Sequence, residues 1–180
     1  MTVLRMPAVT EPSYRWGETN ALFSSHRIAG RLNAEIIVEL TIAPELLDRL
    51  ERLTPAATAL WGTMTAPQML AHLGDWMRMA KGEIKVAVKK RPQRHPPLKQ
   101  LMIYWLPFPK GIPTSPELVG REPLEWSIER AVVRGQLQAF ENLDPKTRWP
   151  EHPVFGRMTS KAWCVFAYRH MDHHLRQFGI

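Results

Sequence analysis

The sequence predicts an all-α fold, a four-helix bundle with a long crossover between its second and third helices. Three observations point there. Four stretches carry apolar residues at helical spacing, no stretch alternates with comparable strength as a strand would, and one proline-rich, basic link separates the middle two. A chain of 180 residues, 44% of them hydrophobic, is long enough to enclose one core.

Residues 1–42 show little periodicity, with Tyr14, Trp16 and Phe23 scattered among Ser, Asn, Thr and Pro, and are read as an N-terminal arm to a domain over 43–180. The first helix is expected over 43–53, where Leu46, Leu47, Leu50 and Leu53 recur at helical spacing, Pro44 limits the start and Thr41 is a candidate cap. Thr65 with Gln68 three residues on forms a capping-box signal, and Pro67 is tolerated in a first turn, so a second helix should run from Ala66 to Ala80 and stop at Gly82. Its apolar stripe is Met69, Leu70, Leu73, Trp76, Met77 and Ala80.

Eight of the sixteen prolines fall between Pro92 and Pro123, too many for a long regular element, though Leu98 to Leu106 suits a short helix. A third helix is expected from Pro123, placed in its first turn, to Glu141, with Asn142 and Asp144-Pro145 as the stop. This helix has two apolar faces: Leu124, Ile128, Ala131, Gly135 and Ala139 on one, and Trp126, Val133, Leu137 and Phe140 on the other. Both cannot serve one core, so either the crossover or a second copy of the chain, in a homodimer, should cover one of them. The last helix should run from Ser160 to Phe178 behind Thr159 as cap.

Charge and cysteine content narrow the function classes. The segment from Lys81 to Lys99 holds seven cations against Glu83 alone, so it carries +6 of the formal +7. Such concentration describes one basic, solvated loop; nucleic-acid binding through residues 81–99 is the competing reading. A single cysteine, Cys164, excludes an internal disulfide and fits a reducing, cytoplasmic setting. No apolar run reaches the length of a membrane span, and the first thirty residues lack a signal-peptide core.

The histidines are the most informative feature. His170, His173 and His174 lie within five residues on the last helix, and residues four apart share a face, so His170 and His174 can direct their rings at one point. His173 competes for the pairing at spacing three. On the helical wheel His170 and His174 fall in mid-stripe, where each ring must satisfy two nitrogens away from water unless a cation takes one from each. His72, at the edge of the second helix's stripe, is a third candidate.

Three segments carry a family resemblance: WGTMTAPQMLAHLGDWMRMAKGE (Trp61 to Glu83), YWLPFPKGIPTSPEL (Tyr104 to Leu118) and HPVFGRMTSKAWCVFAYRHMDHHLRQFG (His152 to Gly179). They resemble a branch of unknown function in the DinB/YfiT-like superfamily of metalloenzymes, over roughly residues 43–180. The resemblance implies a four-helix bundle whose divalent metal is held by one histidine of the second helix and two, four apart, of the last. Carried over residue by residue, these are His72, His170 and His174. Thiol-dependent transferases and a mycothiol-dependent isomerase stand in that superfamily, so a low-molecular-weight thiol is an implied co-reactant.

Three neutral imidazoles leave a divalent ion its charge and an open position for water, thiol or substrate, and suit zinc, nickel or iron. The expected function is therefore a metal-dependent hydrolase or thiol S-transferase, with a non-catalytic, metal-stabilised bundle as an alternative. Asp75, one turn beyond His72, and Asp172, inside the histidine cluster, are the nearest acid–base candidates; both fall off the apolar stripes and are expected to be exposed. Lys89, Lys90, Arg91 and Arg94 are candidates to receive an anionic substrate or cofactor tail if the crossover folds over the bundle mouth. Trp76 and Trp163 are read as core residues that can also line a pocket, and Cys164 points away from His170.

Overall fold

In the computed structural model, which describes residues 44–141 and 148–180, the regular structure is helical. Among the described residues five α-helices follow in order: α1 over 44–52, α2 Ala66–Ala80, the short α3 Leu98–Gln100, α4 Trp126–Glu141 and α5 Ser160–Gln177. Among the described residues there is no strand, only an isolated bridge between His152 and Gly156. No helix among them is long and apolar enough to cross a membrane. The arm over 1–42, the Thr41 cap and the stop at Asn142 and Asp144-Pro145 lie outside the described residues.

α1 buries Leu46 and Leu50, with Leu53 just beyond its end. Each such leucine contributes about 1.5–3 kcal/mol relative to exposure. Arg49, on the same helix, donates to Asp172 Oδ1 at 2.8 Å and to the Ile180 carbonyl at 2.9 Å, which ties α1 to the far end of α5. α2 has the expected bounds because both halves of its capping box form: Gln68 N–H donates to Thr65 Oγ1, and Thr65 N–H to Gln68 Oε1. Its end is equally local. Lys81, Gly82 and Glu83 return their N–H groups to Met77, Met79 and Arg78, a turn that needs the positive φ of +83° at Gly82. α2 is buried nearly all round, since α4 and α5 pack on it.

The crossover is anchored rather than loose. α3 runs into a π-turn over Leu101–Trp105, as the reading of 98–106 anticipates. Arg169 of α5 donates to the carbonyls of Met102, Ile103 and Leu106, and its guanidinium lies over the Phe108 ring. The three carbonyls belong to the end of that turn, where backbone acceptors lack intrahelical donors. The basic segment also departs from a purely solvated loop. Arg94 pairs with Glu151 at 2.8 Å, Lys99 donates to the Arg157 carbonyl, and Lys89 N–H donates to the Pro153 carbonyl. Lys81, Lys85, Lys90 and Arg91 remain exposed.

α4 starts three residues later than expected, at Trp126, so Pro123 precedes its first turn. The reason lies in two glutamates. Glu125 receives Ile128 and Glu129 N–H on its carbonyl, and its carboxylate takes the Ser127 hydroxyl and N–H, so it acts as the cap. Glu129 accepts from Leu124 N–H at 2.7 Å, turning residues 121–124 across the helix end. Of the two apolar faces, Val133 and Leu137 enter the core with Trp126 and Phe140 packed against it. The other face keeps Leu124 and Ile128 at 55% and 47% exposure, so the crossover does not cover it. α5 starts where expected, with Ala162 N–H donating to Thr159 Oγ1, and ends one residue early, at Gln177, with Phe178 as its C-cap.

Candidate metal centre

His72 from α2 and His170 and His174 from α5 come together. His170 Nε2 stands 3.2 Å from His72 Nε2 and 3.2 Å from His174 Nε2, and the three ligand atoms lie within 4.8 Å of one another. A tetrahedral site with bonds of about 2.0–2.1 Å has donor–donor edges of roughly 3.3 Å, close to the two short edges here. His173 is not part of this group. It packs half-buried against Trp61 and Phe108, so the choice between spacing three and spacing four falls to His174.

The far sides of two rings are already committed. His72 Nδ1–H donates to the Leu118 carbonyl at 3.1 Å, and His174 Nδ1–H donates to Gln177 Oε1 at 2.9 Å. Gln177 in turn donates from Nε2 to the Trp61 carbonyl at 2.7 Å, which fixes its amide with the oxygen toward His174. Both Nε2 atoms therefore present lone pairs inward. His170 cannot resolve the meeting alone: among the described residues its buried Nδ1 has no partner, and one proton on Nε2 can serve only one neighbour well. Burial, reinforced by the neighbouring histidines, pushes His170 far below the usual imidazole range and His174 to about 3. Burial also lowers His72, against the Leu118 carbonyl, which acts in the opposite sense. Three neutral rings that meet at Nε2 with too few protons to pair them all fit a divalent cation, which takes one Nε2 from each.

The histidines open on a cavity of about 1060 Å³. Its walls include Met64, Trp76, Met79, Phe108, Phe155 and Phe166, and Lys89, Arg91 and Arg121 also face it. Of the four cations proposed for an anionic group, Lys89 and Arg91 line the cavity. Arg94 is engaged by Glu151, while Lys90 is exposed outside the lining. Trp76 lines the cavity, whereas Trp163 is fully buried in the core. Cys164 is half-buried outside the lining, and burial pushes its thiol up, away from nucleophilic use.

The carboxylates expected to be exposed are not. Asp75 is buried at 3% exposure and lines the cavity, with Oδ2 accepting from Arg121 Nε at 2.8 Å and Oδ1 from Arg78 at 3.3 Å. Arg121 turns its other nitrogens on both oxygens of Glu129, a side chain with no exposure at all. Asp75 thus belongs to a charge network over α2, the crossover and α4, and its stripe position failed to show this because both partners come from elsewhere. Asp172, 18% exposed at its side chain, faces α1 through Arg49 and also takes Arg176.

Residues 109–179 match the model of a family described as a protein of unknown function, DUF1569. The match spans α4 and α5 with His170 and His174, and stops short of α2 and His72. No curated protein and no solved structure matches the chain.

Sequence reasoning missed two supporting groups and one further cavity-lining histidine. Gln177 stands three residues after His174, one turn along the same face, and could have been read from that spacing. The Leu118 carbonyl and His152 have no such local signal, since they arrive from the crossover and from the loop before α5.

Two expected results follow from this geometry. At Gly62, where φ is +80°, a Cβ would stand 2.7 Å from Gln177 Nε2. Gly62→Ala should therefore dislodge the amide that orients His174 and weaken zinc binding at least about tenfold in a chelator-competition titration, the range for loss of an orienting partner. Second, His174 and His152 have folded-state pKa values near 3, against about 6.5 unfolded. Only the unfolded chain then takes up these protons between those limits, so stability is unaffected above about pH 6.5 and falls as the pH drops toward 3. The melting temperature of metal-free protein should decline through that window; a flat profile from pH 7 to 4 would contradict it.

Proposed function

We propose that this protein is a metal-dependent enzyme of the DinB-like type, with α1, α2, α4 and α5 as its four-helix bundle and His72, His170 and His174 as ligands to zinc, nickel or iron. The convergence of three Nε2 atoms, two of them locked by Nδ1–H donation to protein oxygens, carries the reading. A divalent ion held this way supplies a Lewis acid able to lower the pKa of a water or a low-molecular-weight thiol. The chain's own residues then supply a largely apolar chamber and two cations, Lys89 and Arg91, suited to an acidic group. Hydrolysis and thiol transfer both fit this set. Asp75 is read as a structural group because both its oxygens are taken by arginines.

The nucleic-acid reading is weaker, since Arg94 and Lys99 of the basic segment are spent on Glu151 and the Arg157 carbonyl. Elemental analysis of protein purified without a histidine tag should show about one divalent ion per chain. Chelation should lower the melting temperature, and any hydrolytic or thiol-transfer turnover should vanish with the metal and return with it. Protein that holds no ion and takes up none of zinc, nickel or iron on titration would overturn the proposal. A metal-stabilised protein without turnover on either reaction class would leave only the non-catalytic bundle.

A further inference from the structure

His152 lines the same cavity as the three converging histidines but serves none of their nitrogens. It is 5% exposed, packed among the rings of Phe155, Trp163 and Phe166. Its backbone exchanges both N–H···O bonds with Gly156, closing a tight loop. Inside that loop its Nδ1 accepts from Val154 N–H at 3.1 Å and from Phe155 N–H at 3.2 Å. A nitrogen that accepts carries no proton, so the neutral ring bears its hydrogen on Nε2, on the side away from the loop. Nε2 has no acceptor among the described residues, and it lies on the edge of the ring opposite the loop, in a residue that lines the cavity.

A buried donor held this rigidly is matched by a ligand acceptor. The surroundings say which kind. Met64, Met79, Phe108 and Phe155 offer apolar walls, and Lys89 and Arg91 add positive charge without a lining carboxylate left unpaired to oppose it. We propose that the cavity takes a carboxylate-bearing molecule with an apolar body, and that His152 Nε2–H is the donor that positions its acidic oxygen. This deepens the proposed function, resting on its reading of the cavity as a substrate chamber; it does not depend on which ion the histidines hold. His152 is a positioning residue here, with no proton transfer assigned to it.

The test uses the full chain labelled with ¹⁵N-histidine, with zinc content measured on the same samples. Octanoate serves as the probe, and octylamine as a control with the same chain and a cationic head that offers no acceptor. In the wild type, long-range ¹H–¹⁵N spectra should show the Nε2–H form of His152, and octanoate should shift its Nε2 resonance and bind more tightly than octylamine. His152→Asn should separate the two roles: the Asn oxygen can replace Nδ1 as acceptor for the loop, but the side chain ends short of the Nε2 position. That variant should bind octanoate about tenfold more weakly, as expected for one hydrogen bond to a charged group, with octylamine binding and zinc content unchanged. An Nδ1–H form of His152, which is read on the wild type and needs no variant, would overturn the assignment. So would equal octanoate affinity in the wild type and His152→Asn, or absence of octanoate binding. Protein that takes up none of zinc, nickel or iron on titration yet still shows the octanoate pattern would sink the metal proposal alone, while metal-loaded protein without the pattern would sink only this one.

Discussion

His72→Ala is expected to release the metal while leaving a folded protein. The substitution removes one of three Nε2 donors and with it the only ligand from α2, so the remaining pair comes from a single helix. Loss of a group that merely orients a ligand weakens binding by about 10–100-fold, and loss of a ligand should exceed the upper figure. Competition with a chromophoric chelator reads this directly. The informative contrast is His173→Ala, which removes a neighbour of the site that is not a donor and should retain zinc within a few-fold of the wild type. Equal losses in the two variants would mean that the assignment by spacing and geometry is wrong. A second readout follows by mass action: zinc should raise the melting temperature of the wild type and of His173→Ala, and leave His72→Ala unmoved.

Arg121→Met should be the most damaging substitution for the fold. It strips the shared partner from Asp75 and Glu129, leaving a carboxylate of 0% exposure and another of 3% without their main counter-charge. Breaking a buried pair on one side costs about 3–5 kcal/mol; because Arg121 itself is one-third exposed, the lower end of that range is expected at neutral pH. The pH dependence has a definite sign. Arg121 holds the Glu129 carboxyl below its usual range, so the pair stabilises the fold fully above the unfolded value, near 4.3, and that contribution fades as the pH falls through the lower, folded value. The gap in urea stability between wild type and variant should therefore be widest near neutrality and narrow in acid. A gap independent of pH would assign the damage to packing instead.

Local chemistry was legible in the sequence to the residue. The Thr65–Gln68 box and the Thr159 cap act within one turn, so the starts of α2 and α5 could be read without knowing the rest of the molecule. The same holds for His170 and His174, whose common direction follows from helical geometry. What escaped depends on groups distant in the chain. The start of α4 moved because Glu129 folds back on Leu124 and Arg121. Asp75 looked exposed because a wheel weighs apolarity, whereas its burial is made possible by an arginine 46 positions away. His152 carries no periodic signal, and its two locking contacts come from a turn whose shape is set by Gly156. Residue pattern locates helices and their faces; charge networks and loop histidines need the tertiary fold.

The acceptor that orients His72 is the main-chain carbonyl of Leu118, the last residue of a 3₁₀ turn over Pro116–Leu118 at the end of the crossover. A carbonyl cannot be mutated away, so replacement of the Leu118 side chain leaves that oxygen in the chain. Its position, however, is set by the path of the backbone from Leu106 onward. Drift in this lineage should thus tolerate exchanges along that stretch far better than gained or lost residues, since a one-residue indel would swing the oxygen out of register with the imidazole.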